Sequence, residues 1–311
     1  MQTVSAALVH AQGLGLDRLD AQLLLGRALQ QSRAWLISHD DAPLPAAVAA
    51  ALLAQFEQRA AGMPLAYIVG EKEFHGLLLK VTPATLVPRP DTETLIDWAL
   101  EILRARPAQS QPPRLIDLGT GSGAIALALK ASHPAAEVHA LDFSAAALAV
   151  AQENARRLSL PLQFHLGDWW QPLAGQRFEL IVSNPPYIAG EDPHLPALRH
   201  EPLSALTPGG DGLRDLLTLI EGAPEHLHAG GWLLLEHGYD QAEAVTAALR
   251  QRGFAEVGFR RDLGQQARVS GGRWAPHPGA KACDPPDPRS NEPGSTGSAT
   301  GATGPHPAVA R

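Results

Sequence analysis

The chain has 311 residues, more than one typical domain, and its 45% hydrophobic share is enough to build a real core. A formal charge of -7 removes any global basic field, which disfavours duplex DNA or an anionic membrane surface as the main partner. Cys283 is the only cysteine, which excludes an intrachain disulfide framework or a cysteine-rich metal site and suits a reducing cytoplasm.

The N-terminus lacks a basic stretch followed by an apolar core. The longest apolar run, Ala46 to Ala54, is far short of the roughly 20 residues that span a membrane, so a soluble protein that is not exported is expected. We take a cytoplasmic monomer as the expectation, although the sequence does not settle oligomeric state. Residues 1–66 carry Leu and Ala at helical spacing, as in Leu16, Leu19, Leu23, Leu24 and Leu25, with breaks at Gly13 to Gly15 and at Pro43 to Pro45. This predicts a small bundle of about four helices. The stretch AYIVGEKEFHGLLLKVTPATLVPRPDTETLI follows, its β-type runs split by Gly70, Gly76 and three prolines. We read residues 67–91 as a β-hairpin and linker, leading into a helix that Asp91 or Thr92 caps.

Strand-like and helix-like runs alternate from Arg114 onward: RLIDLG, GAIALALKA, AEVHALD, SAAALAVAQENARRL and LQFHLGD, then FELIVSNPPYI. Such alternation implies parallel β-α-β units in a doubly wound sheet. A helix from about Gly212 to His228, the strand GGWLLLEHG, the helix AEAVTAALRQRGF and two short β-like runs complete the order. Residues 92–274 are therefore an α/β domain with a seven-stranded sheet, its last two strands a hairpin. Residues 275–311 are rich in Pro and Gly and lack Leu, Ile, Met, Phe, Tyr and Trp, a composition that predicts a disordered tail.

The first chemical signal is LIDLGTGSGAIAL, with Gly119, Thr120, Gly121, Ser122 and Gly123 between a strand and a helix. Missing side chains let a ligand approach the backbone, and the helix N-terminus offers free N–H groups. Asp142, at the end of the next strand, suits both hydroxyls of a ribose. The glycine spacing is not the dinucleotide form, and no phosphate-loop lysine follows, so the ligand need not carry a pyrophosphate. A glycine loop alone is equally what a tight turn with no ligand needs. GDWW ends the third strand, placing Asp168 to accept from an adenine amine and Trp169 against its ring, although such tryptophans also serve as core packing. All three signals fall at consecutive strand C-termini, where open α/β sheets bind ligands.

The fourth strand ends in NPPY. Asn184 offers a side-chain carbonyl, and Pro185 holds a backbone carbonyl beside it, lacking N–H and fixing φ. Two rigid acceptors side by side suit one planar NH2 group, while Pro186 and Tyr187 extend the substrate-binding segment and Tyr187 adds a flat face. A plain strand-terminating turn is the competing reading. His194 and His200 lie in a Pro-containing stretch and make no metal signature, EHG at 236–238 reads as structural, and Arg260, Arg261 and Arg268 read as a solvated face.

DLGTGSG, Asp142, GDW and NPPY, in this order, resemble the class I methyltransferases that use S-adenosylmethionine to methylate planar amines or amides. The flanking stretches PLAYIVGEKEFHGLLLKVTPATLVPRPDTETLI, IVSNPPYI, EPLSAL and GGWLLLEHG are similar to the release factor glutamine methyltransferases, the HemK or PrmC family. The likeness runs over about residues 16–274 and stops at the tail. It implies S-adenosylmethionine as cofactor, bound at Gly119 through Gly123, Asp142, Asp168, Trp169 and Asn184. It also implies, as substrate, the glutamine of the Gly-Gly-Gln loop of class 1 peptide chain release factors, contacted at Asn184 through Tyr187 with Asn184, Pro185 and Tyr187 catalytic. PRPDTE at 88–93 resembles a segment covering the cofactor, and residues 1–66 a docking surface for the release factor. Competing readings are a ribosomal-protein glutamine methyltransferase, an adenine-specific DNA methyltransferase, whose flipped base presents a similar NH2, and a nucleoside-binding module without catalysis.

Overall fold

The structure, a computed structural model, describes residues 1–107 and 111–275. The tail expected over residues 275–311 lies outside them apart from Ala275, as does Cys283.

Helices α1 (Val4–Gly13), α2 (Arg18–Leu29), α3 (Arg33–Ser38) and α4 (Ala46–Ala60) form the N-terminal unit. Polar side chains set the first three starts: Thr3, Asp17 and Ser32 accept the N–H groups of Ala6, Leu19 and Trp35. Leu24, Leu25, Leu36, Leu52 and Phe56 are buried together between these helices. The stretch AYIV, expected to be extended, is instead part of a short helix, α5 (Leu65–Val69), which Gly70 closes in the left-handed conformation at φ 80°. Leu65, Ile68 and Val69 pack against the N-terminal core, and that burial outweighs the β preference of isolated Ile and Val. Strands β1 (Glu71–Phe74) and β2 (Leu77–Lys80) then pair as a hairpin. Its turn residues His75 and Gly76 take φ 48° and 76°, as a tight hairpin turn requires.

The remaining elements are α6 (Glu93–Ala105), β3 (Arg114–Leu118), α7 (Ala124–Ser132), β4 (Glu137–Asp142), α8 (Ala145–Leu158), β5 (Gln163–Leu166), β6 (Phe178–Ser183), α9 (Arg214–His226), β7 (Leu227–Glu236), α10 (Ala242–Arg252), β8 (Phe254–Arg261) and β9 (Ala267–Trp274). The sheet has seven strands in the order β5-β4-β3-β6-β7-β9-β8. The five from β3 to β7 run parallel, whereas β9 is antiparallel to both β7 and β8. This is the seven-stranded Rossmann-like sheet with a small helical N-terminal unit that the sequence predicts.

Alternation along the strands divides the core in two. Leu115, Leu180 and Val182 face α6 and α7, while Ile116, Leu118 and Ile181 face α9 and α10. The chain winds outward through β3, β4 and β5, then returns to lay β6 beside β3. That reversal opens a crevice at the C-terminal ends of β3 and β6.

Candidate functional site

Gly119 to Gly123 link β3 to α7, and Gly119, Gly121 and Gly123 all have positive φ. The N–H groups of Gly119 and Thr120 donate to the Leu141 carbonyl at 2.9 and 2.8 Å, tying the loop to β4. Asp117, fully buried in β3, accepts the Thr120 hydroxyl at 2.6 Å and the Ala126 N–H at 3.3 Å through Oδ2. Burial pushes its carboxyl up to about 7 against these hydrogen bonds. Gly123 turns away from the crevice; a Cβ there would meet Leu127 at 3.1 Å and Ala151 at 3.2 Å, so it serves the packing of α7 on α8.

Asp142 ends β4 and accepts from two backbone groups, Gly121 N–H at 2.8 Å and Ser144 N–H at 2.9 Å. Burial raises its pKa while these backbone donors oppose the rise. Each carboxylate oxygen keeps a lone pair for a further donor. After β5, Gly167 donates to the Asp142 carbonyl at 3.1 Å, and Asp168 and Trp169 follow. Trp169 adopts φ 39°, uncommon for a bulky residue, and its ring lies so close to Gly119 that a Cβ there would sit 3.4 Å away. Trp170 is structural: it stacks on His226 with centroids 4.8 Å apart and donates to the Thr218 carbonyl at 3.1 Å.

These strand ends wall a cavity of about 790 Å³. Gly119, Thr120, Gly121, Ser122, Asp142, Asp168, Trp169, Asn184 and Pro186 all line it, whereas Gly123, Pro185 and Tyr187 do not. A cavity of this size, largely apolar with a few polar groups aimed inward, suits a nucleoside-sized ligand. Asp142 and Asp168 are the acceptors such a ligand would meet, with Trp169 and the half-exposed Phe143 as its flat neighbours. Phe143 was not singled out in the sequence, although its place directly after the acid of β4 is a usable signal.

Asn184 follows β6. Its Nδ2 donates to Thr92 Oγ1 at 3.3 Å, and among the described residues nothing donates to its Oδ1 or to the Pro185 carbonyl. Tyr187 points below the cavity, its hydroxyl donating to Glu236 at 3.3 Å. Burial first, then the Glu236 charge, hold that phenol well above its usual pKa. Gln241 Nε2 donates to the Tyr187 carbonyl at 3.0 Å and holds the segment in place. Thr92 and Asp91 do not cap α6 as expected: Thr92 sits at the cap position without a cap bond, because its φ -65° and ψ -19° continue the 3-10 turn Pro90–Thr92 into the helix instead of taking the extended conformation a cap needs.

The far wall comes from the linker, at Thr85, Leu86, Pro88 and Arg89, and from Pro202, Ser204, Ala205 and Thr207. Glu201 joins them: its carboxylate is buried, pairs with Arg89, and accepts the Val87 N–H at 3.1 Å. Sequence reasoning missed this pair, because its partners stand 112 residues apart. Arg268 is not on a solvated face either. Its side chain is 14% exposed and meets Asp262 at 3.0 Å and Asp91 at 3.6 Å. Arg260 lies over the Trp98 ring, 4.9 Å from its centroid. His194 bonds to Asp192 and His200 to the Ala61 carbonyl.

Comparison with known proteins extends over both units. A Methyltransferase small domain matches residues 93–214 and a PrmC N-terminal domain matches residues 2–70. A release factor glutamine methyltransferase of Bordetella pertussis is 51% identical over 261 residues, 83% of this chain and 95% of the relative. That of Escherichia coli is 42% identical over 272 residues, 86% of this chain and 96% of the relative. Among solved structures, the hMettl16 catalytic domain superposes with a TM-score of 0.51 over 73% of this chain and 81% of its own, at 16% identity, a likeness of fold alone. With both units and nearly the full length of these relatives matched, the chain belongs to the release factor glutamine methyltransferase family.

Proposed function

We propose that the protein transfers a methyl group from S-adenosylmethionine to the side-chain amide nitrogen of the glutamine in the Gly-Gly-Gln loop of class 1 peptide chain release factors. The observation that carries this reading is the pair of adjacent acceptors after β6, Asn184 Oδ1 and the Pro185 carbonyl, which take no donor from the described residues. The names of the relatives support the substrate. Such a reaction belongs in the cytoplasm, where release factors work, and needs only one copy of the chain.

The glycine loop from Gly119 to Gly123, Asp142, Asp168 and Trp169 would hold the cofactor, whose sulfonium supplies an already activated methyl group. Asp142 would accept from the ribose and Asp168 from the adenine amine, while Trp169 flanks the ring. Asn184 lies where the cofactor side of the cavity meets the substrate side. The acceptor amide is the weak partner in this chemistry, because its nitrogen lone pair is delocalised into the carbonyl. Two rigid oxygens that accept from its NH2 fix the nitrogen's orientation, and they bind more strongly as positive charge develops on it. Pro186 and Tyr187 keep that segment stiff. Alignment alone supplies several of the roughly 7 to 11 kcal/mol available to well-oriented reactants. A methylated amide nitrogen sheds its proton readily, so no dedicated base is required.

The test is the mass of the Gly-Gly-Gln peptide after incubation of a release factor with enzyme and S-adenosylmethionine. One added methyl group is expected, abolished by Asn184→Ala with the circular dichroism spectrum intact. Methyl label on duplex DNA or on a ribosomal protein instead of the release factor would overturn the assignment.

A further inference from the structure

Behind the cavity, one buried amide joins two of its walls. Asn154, in α8, is 0% exposed and does not itself line the cavity. Its Oδ1 accepts the Lys80 N–H at 2.7 Å, and its Nδ2 donates to the Lys80 carbonyl and to the Ser122 carbonyl, both at 2.9 Å. Lys80 ends β2 and Ser122 belongs to the glycine loop, so one side chain of α8 holds two segments that are distant in the chain.

The chemistry of the amide suits this place. It meets both polar groups of the Lys80 backbone at once, as a neighbouring strand would, and its remaining N–H reaches Ser122. The partners fix its orientation: turned over, the amide would set its NH2 against the Lys80 N–H and its oxygen against two carbonyls. Aspartate has the shape but not the donors, and leucine has the shape without any polar group. Lys80 with Glu153 and Arg157 with Glu71 also tie the hairpin to α8, but these ion pairs are partly exposed, and water screens them. Ala151, one turn earlier on α8, is where a Cβ on Gly123 would make contact at 3.2 Å, so the same face of the helix meets the glycine loop twice.

The segments that Asn154 holds face each other across the cavity. The linker after Lys80 supplies Thr85, Leu86 and Arg89 to the lining, and the glycine loop supplies Gly119 to Ser122. Among the described residues no hydrogen bond runs directly from residues 75–92 to residues 119–123, whereas Asn154 joins them through a single side chain. We propose that Asn154 is a positioning residue for cofactor binding, which holds the glycine loop and the linker at the separation that S-adenosylmethionine needs. This rests on the reading of the cavity as the S-adenosylmethionine site.

The full chain is tested by calorimetric binding of S-adenosylmethionine, well below the melting temperature, which needs neither turnover nor a release factor. Asn154→Asp keeps the shape and the acceptor for Lys80 but sets an oxygen against the Lys80 and Ser122 carbonyls; affinity should fall at least about tenfold. Asn154→Leu removes every one of these bonds and should lose at least as much, with the Lys80 amide also losing the protection against hydrogen exchange that Asn154→Asp retains. In steady-state kinetics both variants should raise KM for S-adenosylmethionine by a similar factor, while KM for the release factor changes by less than about twofold. Leu249→Ala truncates the core at α10, away from the cavity lining, and should destabilise the fold while leaving the affinity within about twofold. Unchanged affinity in folded Asn154→Asp, or an equal loss in Leu249→Ala, would overturn the proposal. Where Asn154→Leu does not fold, Asn154→Ser, too short to reach both carbonyls, takes its place with the same expectation. If the unmodified protein binds no S-adenosylmethionine, the reading of the cavity falls and the proposal with it. If it binds the cofactor but does not methylate the release factor, only the substrate reading falls, and the binding comparison still decides the role of Asn154.

Discussion

The ion pair on the far wall of the cavity should be asymmetric in what each partner's loss does. In the pair of Arg89 and Glu201 the side chains are 39% and 2% exposed. Replacing Arg89 by Met strands a buried carboxylate whose remaining donor is the Val87 N–H, and an uncompensated buried charge costs about 3–5 kcal/mol. Replacing Glu201 by Gln does something milder: the amide oxygen still accepts from Val87, and the freed guanidinium is exposed enough for water to solvate it. That change should cost only about 1 kcal/mol. Urea unfolding of the two variants measures the difference directly. Because Val87 and Arg89 belong to the strap that lines the cavity, affinity for S-adenosylmethionine should fall in the same order by calorimetry. Equal destabilisation by the two substitutions, or a larger loss from Glu201→Gln, would refute the reasoning from burial.

Asp142→Asn should weaken S-adenosylmethionine binding about tenfold or more in the same calorimetric assay, since an NH2 would replace an oxygen that now accepts from Gly121 or Ser144. Gly222→Ala should destabilise the fold by about 1–2 kcal/mol despite the better helix propensity of Ala, because the new Cβ would lie 2.2 Å from Trp170 Nε1; thermal melting checks the sign. Asp117 has its pKa raised from 3.8 to about 7, so the folded state binds its proton more tightly than the unfolded chain. The stability this contributes is fully present below the unfolded pKa of 3.8 and is lost as pH rises towards about 7. Asp117→Asn should therefore flatten the fall in stability over that window, measured by urea unfolding at a series of pH values.

What could be read from the sequence was local and periodic. The strand runs RLIDLG, AEVHALD and FELIVS carry two-sided apolar patterns that only a covered parallel sheet satisfies, and they became β3, β4 and β6. The loop glycines, Asp142, Trp169 and Asn184 could be placed because each stands at a strand end, where topology brings consecutive ends together. Ala66 to Val69 misled for the converse reason: β-branched residues in a short run say little about backbone when a neighbouring core takes their side chains. Thr92 looked like a cap because threonine before a helix usually is one, whereas its backbone continues the 3-10 turn Pro90–Thr92. Nothing local shows that its hydroxyl meets a residue 92 positions away. Arg89 with Glu201, and Glu236 with Tyr187, were hidden in the same way, since long-range polar pairs leave no periodic trace.

The four polar residues at the ends of the central parallel strands divide the labour of the site. Asp117 and Asp142 belong to β3 and β4, Asn184 and Glu236 to the ends of β6 and β7, and the sheet order places the first pair on one side of the topological reversal and the second on the other. The first pair braces the glycine loop, Asp117 through Thr120 and Asp142 through Gly121. The second pair braces NPPY, Glu236 through Tyr187 and Asn184 through Thr92. Each side therefore holds one deeply buried carboxylate, which water does not solvate, and one residue that reaches the cavity. Burial pushes both inner carboxyls, Asp117 and Glu236, up to about 7, so each sits at a cost in the folded state. A sheet stabilised for its own sake would place apolar side chains at both positions, as it does at Leu115 and Leu233. That cost is intelligible where the orientation of a loop matters more than the stability of the strand beneath it.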